Sequence, residues 1–165
     1  CRTGGPPNCP MIGVHKRVDN PGTARMQLEQ RMLQISCYIQ AVQQVARRYE
    51  GCSPWIFLAT DDADAVPEFR RAFGDRLICN LKAKRSAGGI NEKKLPLEVH
   101  GQEERLSIAD AEDCLLDALV LSGCDAFIHA DSNLTIAAGI LNPHAAAHHV
   151  RDFFPERTGA KGEAS

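Results

Sequence analysis

The sequence has no apolar run long enough to cross a membrane as a helix. It has no strong charge bias either. Nineteen Lys and Arg against 21 Asp and Glu leave a net charge of −2. This excludes a global field that would attract nucleic acid, so any anion site must be local. No G-x-x-x-x-G-K-[ST] stretch is present, which excludes a P-loop, and no G-x-G-x-x-G is present. The seven cysteines are odd in number and none forms a C-x-x-C pair, which argues against a zinc site. Aromatics are sparse at 5%, and internal repeats are absent. No secretory signal pattern opens the chain. It starts at Cys1 in mid-stretch, so an excised piece of a longer protein is expected.

The composition that remains, 44% hydrophobic and 24% charged, is that of an ordinary globular domain. Residues 1–10 are rich in Gly and Pro and read as a linker or interdomain crossing, residues 11–150 as one folded domain, and residues 151–165 as a polar tail. Within the domain, apolar runs at 11–14, 55–59, 76–79 and 125–129 read as buried strands, with 145–150 as a possible fifth. Helical periodicity is expected over 26–49, 64–73, 108–121 and 131–141. In the third of these, Leu115, Leu116, Leu119 and Val120 are expected to face inward. Residues 80–107 lack periodicity, as functional loops often do. The alternation of strand and helix predicts an α/β domain: a Rossmann-like parallel sheet with helices on both faces. Cys37, Cys114 and Cys124 sit in apolar patterns and read as core residues. Cys1–Cys9 and Cys9–Cys52 are both open as disulfides.

Three strand ends carry polar clusters: His15 to Asn20, Thr60 to Asp62, and Ala130 to Asn133. A parallel sheet would bring them to one edge, where open α/β sheets bind ligands. Lys16 and Arg17 are either solvated surface charges or a phosphate clamp. Pro21 and Gly22 keep the loop after them from continuing as helix. His15 reads as a loop-bracing residue. Asp131, Ser132 and Asn133 are favoured N-cap types, and the same geometry makes an anion site. Asp117 stands mid-helix among leucines, so it is either buried with a partner or turned to a cleft. Arg85 would flank the site with the glycines that follow it. His144 and His148 share a helical spacing but lack a third metal ligand nearby.

The order of these motifs resembles a known family. His15-x-Arg17, then Phe57 to Asp62, then Leu116-Asp117 through Cys124-Asp125, then Ser132-Asn133 closing on Leu141-Asn142-Pro143 is similar to the C-terminal half of the α1,6-fucosyltransferase and NodZ-like fucosyltransferase group. The resemblance implies one half of a GT-B glycosyltransferase, holding GDP-fucose as donor. It places Arg17 on the donor β-phosphate, Thr60, Asp61 and Asp62 near the nucleoside, and Asp117, Ser132 and Asn133 around the nucleotide. His15 would contact the nucleotide or brace the loop, with Lys16 adding charge. It implies no cofactor and no metal, an acceptor that is a glycan or glycoprotein, and an N-terminal half of the same enzyme as partner. The loop departs from the family in that Asp19 comes one place early and Val18 replaces a polar or basic residue.

The reaction expected from this resemblance is inverting, metal-independent transfer of fucose to a glycan or protein hydroxyl. Arg17 would be catalytic, and Asp19 is the nearest candidate base. A nucleotide-sugar-binding module without catalysis, or a GT-B enzyme using another nucleotide, are the alternatives. The compartment would be the Golgi or endoplasmic reticulum lumen in a eukaryote and the cytoplasm in a bacterium.

Overall fold

The computed structural model describes residues 9–17, 34–49, 51–83, 85 and 108–154. Five strands form one all-parallel sheet: β1 (Met11–Lys16), β2 (Trp55–Thr60), β3 (Leu77–Ile78), β4 (Ala126–His129) and β5 (Ala146–His149). Their order is β3-β2-β1-β4-β5. Each parallel pairing needs a crossover, and four helices belong to those crossovers: α1 (Ile35–Ala46), α2 (Ala65–Phe73), α3 (Ile108–Ser122) and α4 (Asn133–Leu141). The architecture is the Rossmann-like α/β sheet expected from the alternation of elements.

The strands are apolar on both faces because helices cover both. Ile12, Val14, Ile56, Leu58, Ala126 and Ile128 point to one face and pack with α1 and α2. On α1 the packed residues are Tyr38, Ala41, Val42 and Val45, and on α2 they are Ala65, Phe69 and Phe73 at helical spacing. Phe57, Ala59 and Phe127 point to the opposite face and meet Leu121, Cys124 and Ala138 from the α3–α4 side. Gly13 is required there. A Cβ at this position would lie 2.8 Å from Leu121 Cδ2 and 3.0 Å from Cys124 Sγ. The end of α3 therefore rests directly on the β1 backbone.

Several expectations are corrected. On α3 the buried residues are Ala118 and Leu121, whereas Leu115, Leu116 and Leu119 are exposed. The helix carries two apolar stripes. The small residue at 118 and the bare Gly13 beneath the end of the helix favour the stripe that approaches the sheet most closely. Cys114, expected in the core, is exposed for the same reason, while Cys124 is buried. Burial pushes the Cys124 thiol up to about 12, as for an inert core cysteine. Residues 151–154 do not begin a tail. Val150–Phe153 forms a 3-10 turn held by a reciprocal His149–Asp152 cap, and Val150 is fully buried. Of the two disulfides open in the sequence, Cys9–Cys52 is formed and ties the approach to β1 to the α1–β2 connection. Cys1 lies outside the described residues, as do residues 26–33 of the helix expected over 26–49, most of the 80–107 segment and 155–165. Among the described residues, no helix is long and apolar enough to cross a membrane.

Candidate functional site

The chain reverses its direction of strand addition between β1 and β4. After β1 the sheet grows one way to β2 and β3, and after β3 it returns to the other side of β1. Connections leaving β1 and β4 therefore part in opposite directions and leave a crevice at their C-terminal ends. Register aligns the ends: Lys16 is level with Thr60, and His15 with both Ala59 and His129. The polar residues after β1, β2 and β4 are thus neighbours, although 46 and 117 positions separate the pairs that touch.

On the β2 side these residues satisfy one another. Lys16 Nζ donates to Asp62 Oδ2 at 2.5 Å, and the two residues are only 6% and 5% exposed. The other oxygen of Asp62 accepts from the Asp64 N–H at 2.9 Å. Thr60 Oγ1 accepts from the Asp62 N–H at 3.0 Å. Alternation along β1 sends the Lys16 side chain to the α1–α2 face, away from the residue on either side. Lys16 and Asp62, expected at the ligand, are spent on each other as a buried pair, and Thr60 closes the turn.

Around Arg17 and the start of α4 the pairing is looser. Arg17 remains half-exposed, with its Nε 3.9 Å from Asp61 Oδ2. That separation is a loose pairing, worth little in water. Ser132 caps α4 by accepting from the Thr135 N–H at 3.2 Å, and Asn133 is the first residue of that helix. Ser132 Oγ also lies 3.1 Å from His15 Nδ1. Burial, with the positive charge of Arg17 and the neighbouring His129, drops the His15 pKa to about 4. His15 is therefore neutral at physiological pH, and its ring braces the start of α4 as a hydrogen-bond partner.

Asp117 projects from α3 on the helix face that carries Ala118 and Leu121 toward the sheet. Its Oδ1 is buried and makes no hydrogen bond. Burial raises its pKa to about 6, with Arg85 acting against the rise and Asp113 adding to it. Arg85 is itself held by two carbonyls, donating from Nη2 to Asn80 O at 2.6 Å and from Nη1 to Ala83 O at 3.1 Å. A carboxylate kept short of donors beside a ligand crevice is costly for folding and useful for binding.

Asp19 lies outside the described residues. Two residues of this edge were not picked out in the sequence. His129 and His149 end β4 and β5 in register with His15. A histidine at or one place before the end of each of three strands is a visible pattern, but register is needed to make them neighbours. Among the described residues, no cluster of His, Cys, Asp and Glu is arranged to hold a metal ion.

No family model matches the chain, and no curated protein matches it in sequence. Among solved structures, the fold is similar to that of NodZ α-1,6-fucosyltransferase co-crystallised with GDP, with a TM-score of 0.52 and 19% identity over 81% of this chain. It is similar to fucosyltransferase NodZ from Bradyrhizobium, with a TM-score of 0.52 and 18% identity. NodZ α-1,6-fucosyltransferase soaked with GDP-fucose gives a TM-score of 0.50 at 19% identity. The chain spans 36% of the length of each of these proteins. At this identity the likeness establishes a shared α/β fold.

Proposed function

We propose that this chain is the nucleotide-sugar-binding half of a GT-B glycosyltransferase that transfers fucose from GDP-fucose to a glycan or protein hydroxyl. The observation that carries the reading is the switch-point edge of the sheet, where half-exposed Arg17 ends the run from His15, and His15 braces the Ser132 cap of α4. Guanine offers a ring N–H and an exocyclic amine side by side, the donor pair that a carboxylate such as Asp117 accepts bidentately. The diphosphate would then extend toward Arg17 and the start of α4, where a guanidinium and free helix N–H groups suit phosphate oxygens. The GDP and GDP-fucose complexes of the similar NodZ structures support this choice of ligand.

The transfer is one displacement. The acceptor oxygen bonds to C1 of fucose as the bond from C1 to the phosphate oxygen breaks. The bonding electrons leave on the β-phosphate of GDP. Arg17 and the α4 N-terminus stabilise this growing charge more in the transition state than in the ground state, and the reaction so written requires no metal. The acceptor proton passes to a base, for which Asp19 is the nearest candidate in the chain. His15, Thr60, Lys16 and Asp62 act beneath the ligand by holding the loops. Asp61 limits the swing of Arg17.

A second reading follows from the chain's covering only 36% of the similar structures: a module that binds a nucleotide sugar without transferring it. Calorimetry with GDP, UDP and ADP tests the shared part. Selective binding of GDP, lost in Asp117→Ala, is the expected result, and equal affinity for all three overturns it. A transfer assay on the full-length protein then separates enzyme from module.

A further inference from the structure

Three histidines stand abreast at the C-terminal edge of the sheet. His15 on β1 is level with His129 on β4, and His129 with His149 on β5. Parallel strands in register point level residues to the same face, here that of α3 and α4. The His129 and His149 rings meet edge to face, with centroids 5.4 Å apart. The outer ends of the row touch the turn before α4. His15 Nδ1 lies 3.1 Å from Ser132 Oγ, and His149 Nε2 lies 3.6 Å from Asp131 Oδ1. The row thus underlies the turn that the proposed function assigns to phosphate.

Burial favours the neutral ring at the two ends of the row, His15 and His149. His149 Nδ1 accepts from the Arg151 N–H at 3.1 Å, so its proton sits on Nε2, and a second proton would break that cap. His129 Nδ1 lies 3.1 Å from the Ala130 carbonyl and can donate to it. The charged groups that face the row are few. Arg17 faces His15, while Asp131, Arg151 and Asp152 face His149. On the other side of β5, His148 meets Arg48 and Asp152. Of the two helices on this face, α4 carries no charged side chain between Asn133 and Leu141, whereas α3 carries Asp110, Glu112, Asp113 and Asp117, the last with its pKa raised to about 6 by burial. Burial is the main cause that lowers both His15 and His149. Asp131, 86% exposed at its side chain, lies 3.6 Å from His149 Nε2, and Asp152 accepts from the His149 N–H at 3.1 Å.

We propose that the histidine row makes the anion-binding edge proton-linked, so that a bound diphosphate draws a proton onto the row and acid strengthens its binding. The proposal rests on reading this edge as the nucleotide-sugar site. Its sign follows from reciprocity: an anion favours an imidazolium beside it, so the imidazolium favours the anion equally. A protonated His149 would also pair with Asp131 and offset that carboxylate's repulsion of a phosphate. The row is then an acid-responsive tightening device that works through charge, without movement of the sheet.

The test is calorimetry on the intact chain with GDP-fucose, at pH 7.5 and 5.5, in two buffers of different ionisation heat at each pH. The diphosphate of GDP-fucose is esterified at both ends and keeps its two charges throughout this range. Sulfate binding about tenfold tighter at pH 5.5, with net proton uptake, is the expected result for one charge added near a dianion; GDP-fucose gains less, because its guanine competes with the proton that Asp117 takes up near pH 6. His129→Gln and His149→Gln should each flatten this profile, with circular dichroism confirming the fold. Should either variant fail to fold, proton uptake by the wild-type chain on binding sulfate, which carries no guanine for Asp117, decides alone. Sulfate, a dianion across the same range, is the second probe. Equal sulfate affinity at both pH values without proton uptake overturns the proposal, and GDP-fucose binding beside it leaves the nucleotide reading intact. Proton-linked sulfate binding without GDP-fucose binding upholds the row and overturns the nucleotide reading. Failure of both ligands at both pH values overturns both, and an acid gain that survives in both folded Gln variants overturns the row.

Discussion

The two sides of the β1 end hold similar residues in opposite states. Toward β2, Lys16, Asp62 and Thr60 are buried and mutually hydrogen-bonded. Beyond the end of β1, Arg17 is half-exposed and loosely paired with Asp61, and on α3 Asp117 keeps a buried oxygen with no partner. Adjacent residues of one chain, Lys16 and Arg17, divide between the two. The pleat sends Lys16 to the α1–α2 face and leaves Arg17 beyond the strand. A satisfied polar cluster specifies a fold, whereas an unsatisfied one at a switch-point crevice marks where a ligand completes the bonding.

The largest expected effect breaks the satisfied side. Lys16→Met leaves the Asp62 charge buried without its counter-ion and should cost about 3–5 kcal/mol of stability, read from urea unfolding. Lys16→Met combined with Asp62→Leu removes both charges and should recover most of that loss. If the double variant is as unstable as the single one, the pair is not the source of the cost.

Next in size is the open side. Arg17→Ala should weaken GDP binding by about 30- to 100-fold, the scale of lost charge-assisted hydrogen bonds, while leaving the melting temperature within a degree or two of wild type. Unfolding measurements and calorimetry on the same sample separate the two sides directly. Arg17→Ala in the full-length protein should nearly abolish transfer.

Asp117 gives a smaller effect with a defined pH signature. Its folded pKa of about 6 lies above the ordinary value of 3.8. The folded state therefore holds a proton that the unfolded state releases, and the resulting instability grows as pH rises from about 4 through about 6. Asp117→Asn should raise the melting temperature at pH 7.5 by a few degrees and by less at pH 4.5. His15 runs the other way. Its folded pKa of about 4 lies below 6.5, so its contribution to stability is lost as pH falls between those values. The smallest effect is expected at Leu116→Ser on the exposed stripe of α3, within about 0.5 kcal/mol, against about 2–5 kcal/mol for Leu121→Ala.

Much of the fold was legible in the sequence because strand burial and helix periodicity are local. The apolar runs at Met11, Trp55 and Ala126 became β1, β2 and β4, and the strand–helix alternation implied a parallel sheet. Ser132 was legible as a cap because capping needs only the next three residues. Helix phase on α3 was not, since Leu115, Leu116 and Leu119 form a stripe as regular as the one that packs. The division of Lys16 from Arg17 was also hidden, because Asp62 is 46 residues away.

The sequence by itself determined which segments become strands and helices, that the sheet is parallel, and that polar residues end three strands. Those properties follow from short-range sterics and from the period of apolar residues. Tertiary structure alone decided which charges cancel and which stay open, and which α3 stripe meets Gly13. It also set His15, His129 and His149 side by side. Each of these depends on strand order, register or close approach between distant segments, which no local pattern encodes.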